Sequence, residues 1–500
     1  MACHSSFSPP VSRSFFWGFR MQHRARHQSV SMCPGPVSRR SFLEVGSLGL
    51  GMLGLSDILK LQSQANAASP GKSATDTSII FIWLPGGPPH METYDMKPEA
   101  PEEYRGVFRP IPTNVKGMDV CELLPLHAKC ADRYTLVRSV AHEFADHGGG
   151  HKRFLTGRMP ATPTGFVNDA PAVGSIVAKC REHFSTGLPN YVSGAEPGRD
   201  GVDVYSFGAA YLGPSYVPFS IPGDPSQKDF KVRNLSVDQQ AAERLEDRVS
   251  LLKGFDRLRR SIDETGVMDA MDAFNQQAVS MLTSDKARNA FDLTQEPDAL
   301  RARYGHHAWG QRALMARRLV EAGSSFVTMV FENPYQSGVE SLKAGTYNWD
   351  SHAVNCHLFE DAKVRFPIYD QAVTALVEDI YNRGLDRKVM LVVTGEFGRT
   401  PRITTQVGTQ TGTLQPGRDH WPQAMSMLLA GGGMRTGQVI GSTNAKGEEP
   451  KERPLTPNDL WATVYRHLGI DWTQSFLDHS GRPMPILPFG DPIAELLPVA

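Results

Sequence analysis

Residues 78–84 read Ser-Ile-Ile-Phe-Ile-Trp-Leu, and this apolar run stops at the Pro-Gly-Gly-Pro-Pro-His sequence of residues 85–90. A run that is apolar at every position has no solvent-facing side, which is typical of a central strand in a parallel sheet. Further strand candidates lie at residues 134–140, 325–331, 389–394 and 425–430. The run at residues 78–84 is therefore predicted to lie inside a sheet.

Helical patterns separate these strand candidates, for example at residues 312–322 and 369–383. Strands that alternate with helices predict an α/β fold, with a mainly parallel central sheet and helices on both faces. Ligands bind at the carboxyl ends of the strands in such sheets. The unusual polar motifs of this sequence follow strand candidates, so we expect a functional site at that edge.

The charge of the chain is close to balanced. Its 500 residues include 52 basic and 53 acidic side chains, so no field of one sign would attract nucleic acid or an anionic membrane, and neither is expected as a partner. The 40% hydrophobic content is enough for a sizeable core. Residues 196–300 contain a Gly- and Pro-rich stretch and then a charged helical pattern at 237–288, and we interpret them as an insertion or cap within a domain spanning 68–500.

The N-terminal region has the pattern of an export signal. The sequence Ser-Arg-Arg-Ser-Phe-Leu at residues 38–43 precedes an apolar, Gly-rich run at 45–55 and Ala-Asn-Ala at 65–67. This order predicts a twin-arginine signal peptide over residues 1–67 and a periplasmic or secreted protein that is exported folded; a short buried helix is the alternative. The run has about half of the roughly 20 residues that a membrane-spanning helix needs, so no stable membrane span is expected.

Four cysteines lie beyond this leader, and none forms a CxxC pair: Cys121, Cys130, Cys180 and Cys356. Cys121 and Cys130 are the nearest candidates for a disulfide, but spacing does not establish pairing, and buried thiols are the favoured interpretation. An oxidoreductase is disfavoured, because no Cys cluster suits an iron–sulfur centre and no GxGxxG motif follows a strand.

The first polar motif, residues 85–95, places three candidate ligands after two glycines. His90, Glu92 and Asp95 are hard or borderline metal ligands, and the glycines permit close approach of the backbone. A tight loop with solvated acidic side chains is the alternative. This motif alone does not decide between the two.

The second motif, residues 142–151, reads His-Glu-Phe-Ala-Asp-His-Gly-Gly-Gly-His. It combines three histidines with two acids, and its glycine run would expose backbone N–H groups near a predicted helix start. Such a segment suits a metal ion or an oxyanion. A His-rich surface loop is the alternative.

Three later motifs add candidate ligands. Asp350 and His352 are two residues apart, so in an extended segment they share one face and can reach one ion. Glu396 directly follows a strand candidate, and Arg399 would hold an anion that is bridged to a metal. His420 precedes the last apolar run. Together the five motifs predict a metal site at the strand ends.

The order of these motifs resembles a bacterial family of unknown function, usually exported by the twin-arginine route, that is related to alkaline phosphatases and sulfatases. Phe-Leu-Thr-Gly-Arg at 154–158 resembles the Leu-Leu-Thr-Gly-Arg end of the sulfatase signature, and Thr-Gly-Glu-Phe-Gly at 394–398 resembles its Thr-Ser-Asp-His-Gly strand end. His420 before residues 425–433 resembles a late metal-binding histidine, and residues 455–470 resemble the C-terminal helix.

This resemblance implies an alkaline phosphatase-like fold and a metal-dependent hydrolase acting on a phosphate or sulfate ester of a small molecule or a polysaccharide. It places Asp350, His352 and His420 around one divalent ion and Glu396 beside a second. Zinc fits the histidines best, whereas calcium or manganese fits the carboxylates. One or two ions are therefore expected, and the oligomeric state stays open.

The sequence departs from the superfamily pattern at the nucleophile. His147 stands where the nucleophilic Cys or Ser belongs, and His151 stands where its Arg belongs. Gly86 or Gly87 occupies the place of a metal-binding Asp, and Phe397 replaces a ligand histidine.

The catalytic candidates are therefore His147, His151 and Arg399. Attack would come from metal-activated water or from His147, which is also a candidate general acid, and Arg399 would stabilise the developing charge. The alternative is a catalytically altered superfamily member that acts as a periplasmic binding protein and presents residues 196–300 to a partner.

Overall fold

The computed structural model describes residues 76–184, 187–232, 284–335 and 339–498. The predicted signal peptide, residues 1–67, lies outside the described residues, and so do residues 237–283 of the charged segment. In the described part of the chain, no helix is both long and apolar enough to span a membrane.

Eight strands form the central sheet. In chain order they are β1 (Ser78–Trp83), β2 (Tyr134–Val140), β3 (Tyr191–Ala195), β4 (Phe219–Pro222), β5 (Phe326–Val330), β6 (Val389–Thr394), β7 (Met425–Gly431) and β8 (Gln438–Ile440). Across the sheet their order is β8-β2-β7-β6-β1-β5-β3-β4. The first apolar run, β1, is thus an interior strand between β5 and β6, as predicted.

The sheet is mainly parallel, as expected, and β7 alone runs against its neighbours β2 and β6. Between β6 and β7 the chain forms only short strands and no helix. A parallel neighbour requires a long crossover, usually a helix, whereas a direct return produces an antiparallel one. The missing crossover helix explains the reversed strand.

Nine α-helices lie in the described residues: α1 (His90–Thr93), α2 (Pro125–Lys129), α3 (His147–Thr156), α4 (Val173–Cys180), α5 (Asp285–Phe291), α6 (Asp298–Tyr304), α7 (Ala308–Glu321), α8 (Leu358–Asn382) and α9 (Pro457–Leu468). Side chains of α7 and α8 share one core cluster, and those of α3, α4 and α9 share another. β1 contributes to both, with Ile80 and Ile82 in the first and Ile79, Phe81 and Trp83 in the second. Helices therefore cover both faces of the sheet, as predicted.

The two predicted helices are confirmed, but both begin earlier than the sequence indicated. The N-cap residues are His307 for α7 and His357 for α8, and each side chain accepts a backbone N–H from the first turn. Ser, Thr, Asp and Asn are the preferred N-cap residues, so these histidines did not mark the helix starts. α8 also continues through the exposed Pro367.

All five predicted strands are confirmed, and β3, β4 and β8 were not anticipated. β3 contains Ser193 and Gly194, and β4 is an edge strand with partly exposed residues. Neither has the continuous apolar pattern of β1. β4 also lies inside the predicted insertion, so part of residues 196–300 belongs to the main sheet.

The remaining strands form short antiparallel pairs: Pro110–Pro112 with Asp119–Cys121, Gly398–Arg399 with His420–Trp421, Thr404–Val407 with Leu414–Gly417, Ser442–Thr443 with Pro450–Glu452, and Ser475–Leu477 with Pro483–Pro485.

The four cysteines of the described chain are free thiols. Burial raises the pKa of the Cys121 thiol to about 12 and that of the Cys130 thiol to about 12. The structure therefore agrees with buried thiols and not with a Cys121–Cys130 disulfide.

Candidate metal centre

Three predicted ligands of one ion meet beyond the carboxyl ends of the strands. His352 Nε2 lies 3.0 Å from Asp350 Oδ1 and 2.9 Å from His420 Nε2, and His420 Nε2 lies 3.1 Å from the same oxygen. Asp350 and His352 lie in the loop before α8, whereas His420 pairs with Arg399 in a short strand ladder. The three side chains are 17–22% exposed, so the group is open to solvent on one side.

The outer ring nitrogens fix the tautomer of each histidine. His352 Nδ1 faces Asp419 Oδ1 at 2.7 Å, and His420 Nδ1 faces the carbonyl oxygen of Ala145 at 2.6 Å. Carboxylate and carbonyl oxygens only accept hydrogen bonds, so each Nδ1 carries a proton and Nε2 is the nitrogen that each ring can offer to a metal. Both Nε2 atoms and one carboxylate oxygen of Asp350 converge, and a cation between them would bind all three.

The donor set and its spacing fit a divalent ion. Zinc binds imidazole nitrogen and carboxylate oxygen at roughly 2.0–2.2 Å, which puts tetrahedral ligand atoms about 3.3 Å apart. The three separations, 2.9, 3.0 and 3.1 Å, are close to that value. Burial lowers the pKa of His420, which favours the neutral form that a metal requires.

Arg399 holds Asp350 and does not line the open side. Its side chain is fully buried, and Nη2 donates to Asp350 Oδ1 at 2.6 Å. The guanidinium also donates to the carbonyl groups of Gly86, Gly87 and Arg418. Burial would raise the pKa of Asp350, but the Arg399 charge and the nearby imidazoles hold it well below its usual range. Arg399 was predicted to stabilise charge on the substrate; because its side chain is fully buried and all three of its nitrogens donate to protein groups, it is a positioning residue for Asp350.

A second group of candidate ligands lies on the same edge. His147 Nδ1 is 2.8 Å and His151 Nε2 is 3.4 Å from Glu396 Oε1, which also accepts the N–H of Gly86 at 2.8 Å. Glu396 Oε2 and His151 Nδ1 are buried and have no hydrogen-bond partner among the described residues. Burial would raise the pKa of Glu396, but the two histidines hold it well below its usual range. An ionised carboxylate with an unsatisfied oxygen fits a second cation.

His147 links the two groups. Its Nδ1 contacts Glu396, and its Nε2 lies 3.5 Å from Asp350 Oδ2. Burial would lower the pKa of His147, but hydrogen bonds to Asp350 and Glu396 raise it to about 9. The ring of Phe397 packs at 5.4 Å from the His147 ring and 4.6 Å from the His420 ring, so it closes one side of the centre.

The glycine run of α3 serves packing. A Cβ atom at Gly149 would lie 2.3 Å from the carbonyl oxygen of Pro163, so only glycine allows this contact. The N-cap residue Asp146 accepts the N–H groups of Gly148 and Gly149 at 2.9 and 3.2 Å. The N–H groups that we expected to suit an oxyanion are therefore already occupied.

The three candidate ligands of the first polar motif do not join the centre, whereas the backbone of its glycines does. Glu92 is fully buried and forms an ion pair with Arg418 at 2.6 Å. His90 lies 3.0 Å from the carbonyl oxygen of Gly447, and Asp95 pairs with Lys97 at 2.9 Å. These contacts hold loops together and give the three candidate ligands structural partners.

Two supporting residues were not assigned a role from the sequence. Asp419 orients His352, and the buried His142 donates from Nε2 to the backbone carbonyl of Glu396 at 2.6 Å, because its Nδ1 accepts the N–H of Phe144. His142 lies within the second motif, and Asp419 directly precedes the predicted ligand His420. The sequence identified the segments, but only the fold shows which side chain supports which ligand.

The model of a protein family of unknown function, DUF1501, matches residues 76–497. The chain belongs to this family. The match covers the whole central sheet and all the candidate ligands, which agrees with the family resemblance expected from the motifs. No curated protein matches the sequence.

Solved structures that are similar to this DUF1501 chain include sulfatases and alkaline phosphatases. A sulfatase from Pseudoalteromonas sp. has 12% identity and a TM-score of 0.32, over 83% of this chain and 70% of that chain. The alkaline phosphatase of the Antarctic bacterium TAB5 has 11% identity and a TM-score of 0.34, over 79% and 99%. At these values the likeness does not assign an activity.

Proposed function

We propose that this chain is an exported, metal-dependent hydrolase that cleaves a phosphate or sulfate ester. The observation that supports it best is the convergence of two imidazole Nε2 atoms and the Asp350 carboxylate at 2.9–3.1 Å. Nδ1 of each ring is bound to an oxygen acceptor, so Nε2 is the nitrogen that each ring can offer to a metal. A metal ion is the partner that this arrangement suits.

The candidate ligands are assigned to two metal ions. Asp350, His352 and His420 hold one divalent ion, and Glu396 binds a second. Bound there, a divalent ion supplies Lewis-acid polarisation of the ester oxygens and lowers the pKa of a water molecule. Zinc suits the two histidines of the first group, and calcium or manganese remains the alternative for the carboxylates.

His147 is the proposed proton donor to the leaving group. Its side chain is 26% exposed, whereas that of His151 is only 3% exposed, so His147 is the imidazole that a substrate can reach. Its Nδ1 is held by Glu396, which orients the ring. His151 then has a supporting role beside Glu396, and general acid catalysis falls to His147.

Elemental analysis of the mature, exported protein tests this proposal. Wild type is expected to hold one or two equivalents of metal, and His420→Ala is expected to lose the ion of the first group together with turnover of phosphate or sulfate esters. His183→Ala is the matched control, because it removes an imidazole that is 86% exposed and pairs with Glu182 outside the centre. Wild type without metal, or His420→Ala with unchanged turnover, would overturn the proposal.

A periplasmic binding protein is the second candidate. It is favoured by His147 in the place of a nucleophile and by Arg399, which is fully buried and donates from all three nitrogens to protein groups. This candidate predicts stoichiometric metal with no turnover across a broad ester panel.

The export route itself is tested by replacing Arg39 and Arg40 with Lys, which should keep the precursor in the cytoplasm.

A further inference from the structure

A second polar cluster lies at the same edge of the sheet, beyond β5. Glu332 is fully buried, and its Oε1 accepts hydrogen bonds from Arg199 Nε at 3.1 Å, from Tyr347 at 3.3 Å and from the Tyr205 hydroxyl. Its Oε2 is buried and unpartnered within the described residues. None of these four residues belongs to the candidate metal centre.

The Arg199 side chain is fixed by Glu332 and two tyrosine rings, and its two terminal nitrogens point away from these contacts. Its guanidinium carbon lies 5.5 Å from the Tyr205 ring centre and 5.2 Å from the Tyr347 ring centre, and Nε is bound to Glu332. In the described part of the chain, Nη1 and Nη2 donate no hydrogen bond to protein. The side chain is 42% exposed, and Tyr347 is 39% exposed. Nη1 and Nη2 are therefore open to solvent, and the contacts of Nε and of the guanidinium face fix their orientation.

The cluster lies close to the candidate metal centre. Val330 at the end of β5 and Thr394 at the end of β6 both lie level with Trp83 of β1. Glu332 and Glu396 each follow two residues later, so two strand spacings, about 10 Å, separate them. Tyr347 is also three residues from Asp350, which limits their Cα separation to about 11 Å.

We propose that Arg199, flanked by Tyr347, binds an oxyanion on the part of the substrate that is not cleaved. A fixed guanidinium with two free Nη groups matches the two oxygens of a carboxylate, sulfate or phosphate group. This inference rests on the proposed function for its place in catalysis, because it makes the substrate an ester with a second negative charge away from the reacting group. Binding of the oxyanion itself does not depend on turnover.

The test is isothermal titration of the mature protein, after removal of metal by a chelator, with sulfate, phosphate and acetate at constant ionic strength. Wild type is expected to bind one equivalent, and the anion that binds best identifies the chemical class. Arg199→Gln should weaken that binding at least tenfold. Arg453→Gln is the matched control, because Arg453 is 41% exposed and pairs with Glu495 away from this edge.

Arg199→Lys is the second variant, in case loss of the charge beside buried Glu332 prevents folding. Lysine keeps the charge but cannot form the planar fork, so at least tenfold weaker binding is again expected. Equal binding by wild type and either folded Arg199 variant, or no binding by wild type, overturns the inference. Oxyanion binding that depends on Arg199 in a protein that turns over no ester would support this site and reject the hydrolase.

Discussion

Asp419 touches no proposed ion, yet it fixes the tautomer of a ligand. Its carboxylate accepts the Nδ1–H of His352 at 2.7 Å, which leaves the Nε2 lone pair for metal. Outer partners of this kind raise the basicity of the ligand and hold its ring in place. The affinity of the centre should therefore depend on a residue beyond its ligands.

Asp419→Asn is expected to lower metal affinity about 10- to 100-fold with all ligands intact. Asparagine keeps the size of the side chain but removes the charge and can present its amide nitrogen to Nδ1. Competition with a chromogenic chelator measures the change. Asp471→Asn, in an exposed loop where the carboxylate binds Thr473, should leave affinity unaltered; equal losses in both variants would refute the role of Asp419.

Gly86 lies where three parts of the centre meet. Its φ is +109°, its N–H binds Glu396, and its carbonyl accepts from Arg399. A Cβ there would lie 2.5 Å from the backbone nitrogen of Asp350. This close approach explains why residue 86 is a glycine.

Gly86→Ala should both destabilise the fold and reduce metal content, because the added methyl group displaces Asp350. Gly117→Ala separates the two effects: its φ is +82° and no atom lies within 4 Å of the added Cβ, so only the backbone cost of about 1–2 kcal/mol applies. Urea unfolding and elemental analysis measure both. Full metal content in folded Gly86→Ala would contradict the expected displacement.

Sequence reasoning found the candidate ligands Asp350, His352 and His420, because each stood in a motif of chemically unusual composition. It could not assign Arg399 correctly, because an exposed arginine and one buried among carbonyl groups have the same sequence context. Sequence reasoning also could not distinguish His90 from these ligands, because the partner of the His90 ring, the carbonyl oxygen of Gly447, is distant in sequence.

At the scale of elements, α3 carries two of the site histidines on a helix with a glycine-rich first turn. Glycine is a poor helix former, so the start of α3 depends on its N-cap. Asp146 provides that cap through Gly148 and Gly149. The position of His147 and His151 thus depends on one carboxylate.

Asp146→Ala is expected to cost about 1 kcal/mol of stability and, because the first turn of α3 loosens, to weaken metal binding. Ser284→Ala removes a comparable cap from α5, where the side chain accepts the N–H of Ala287 at 3.2 Å. Ser284→Ala should lower stability by a similar amount and leave the metal affinity unchanged. Thermal unfolding measures the stability and chelator competition measures the metal affinity. An equal loss of metal affinity in Ser284→Ala would contradict the dependence of the metal centre on the N-cap of α3.

The strands illustrate what a single sequence can reveal about elements. β1 and β6 are buried at every position, and their apolar runs were predicted closely. The direction of β7 was not predictable from its own residues, because it depends on the missing crossover after β6. β8 has only three residues, too few for a periodic pattern.

For the whole molecule, acid stability should depend on a histidine outside the metal centre. Burial lowers the pKa of His90 to about 4, from 6.5 in the unfolded chain. A lowered folded-state pKa gives stability that is present above pH 6.5, is lost progressively as the pH falls below 6.5, and is fully lost below about pH 4. Between pH 7 and 5 this loss amounts to about 2 kcal/mol.

His90→Gln should remove that part of the pH dependence. The free energy of unfolding in urea, measured after metal removal, is expected to fall by about 2 kcal/mol less between pH 7 and 5 in the variant than in wild type. The exposed control His183→Ala should follow wild type. Parallel curves for wild type and His90→Gln would show that His90 does not titrate as the structure implies.

Because β1 lies inside the sheet, it stays unpaired for much of the time that the chain takes to be synthesised. Ile79 lies opposite Phe326 on one side and Met390 on the other, so this early apolar strand has no neighbours until most of the chain has left the ribosome. At about 5–20 residues per second, that delay is on the order of tens of seconds. Throughout it, both edges of an aggregation-prone strand stay unpaired, and a chaperone that shields residues 78–84 would act when the nascent chain is most vulnerable.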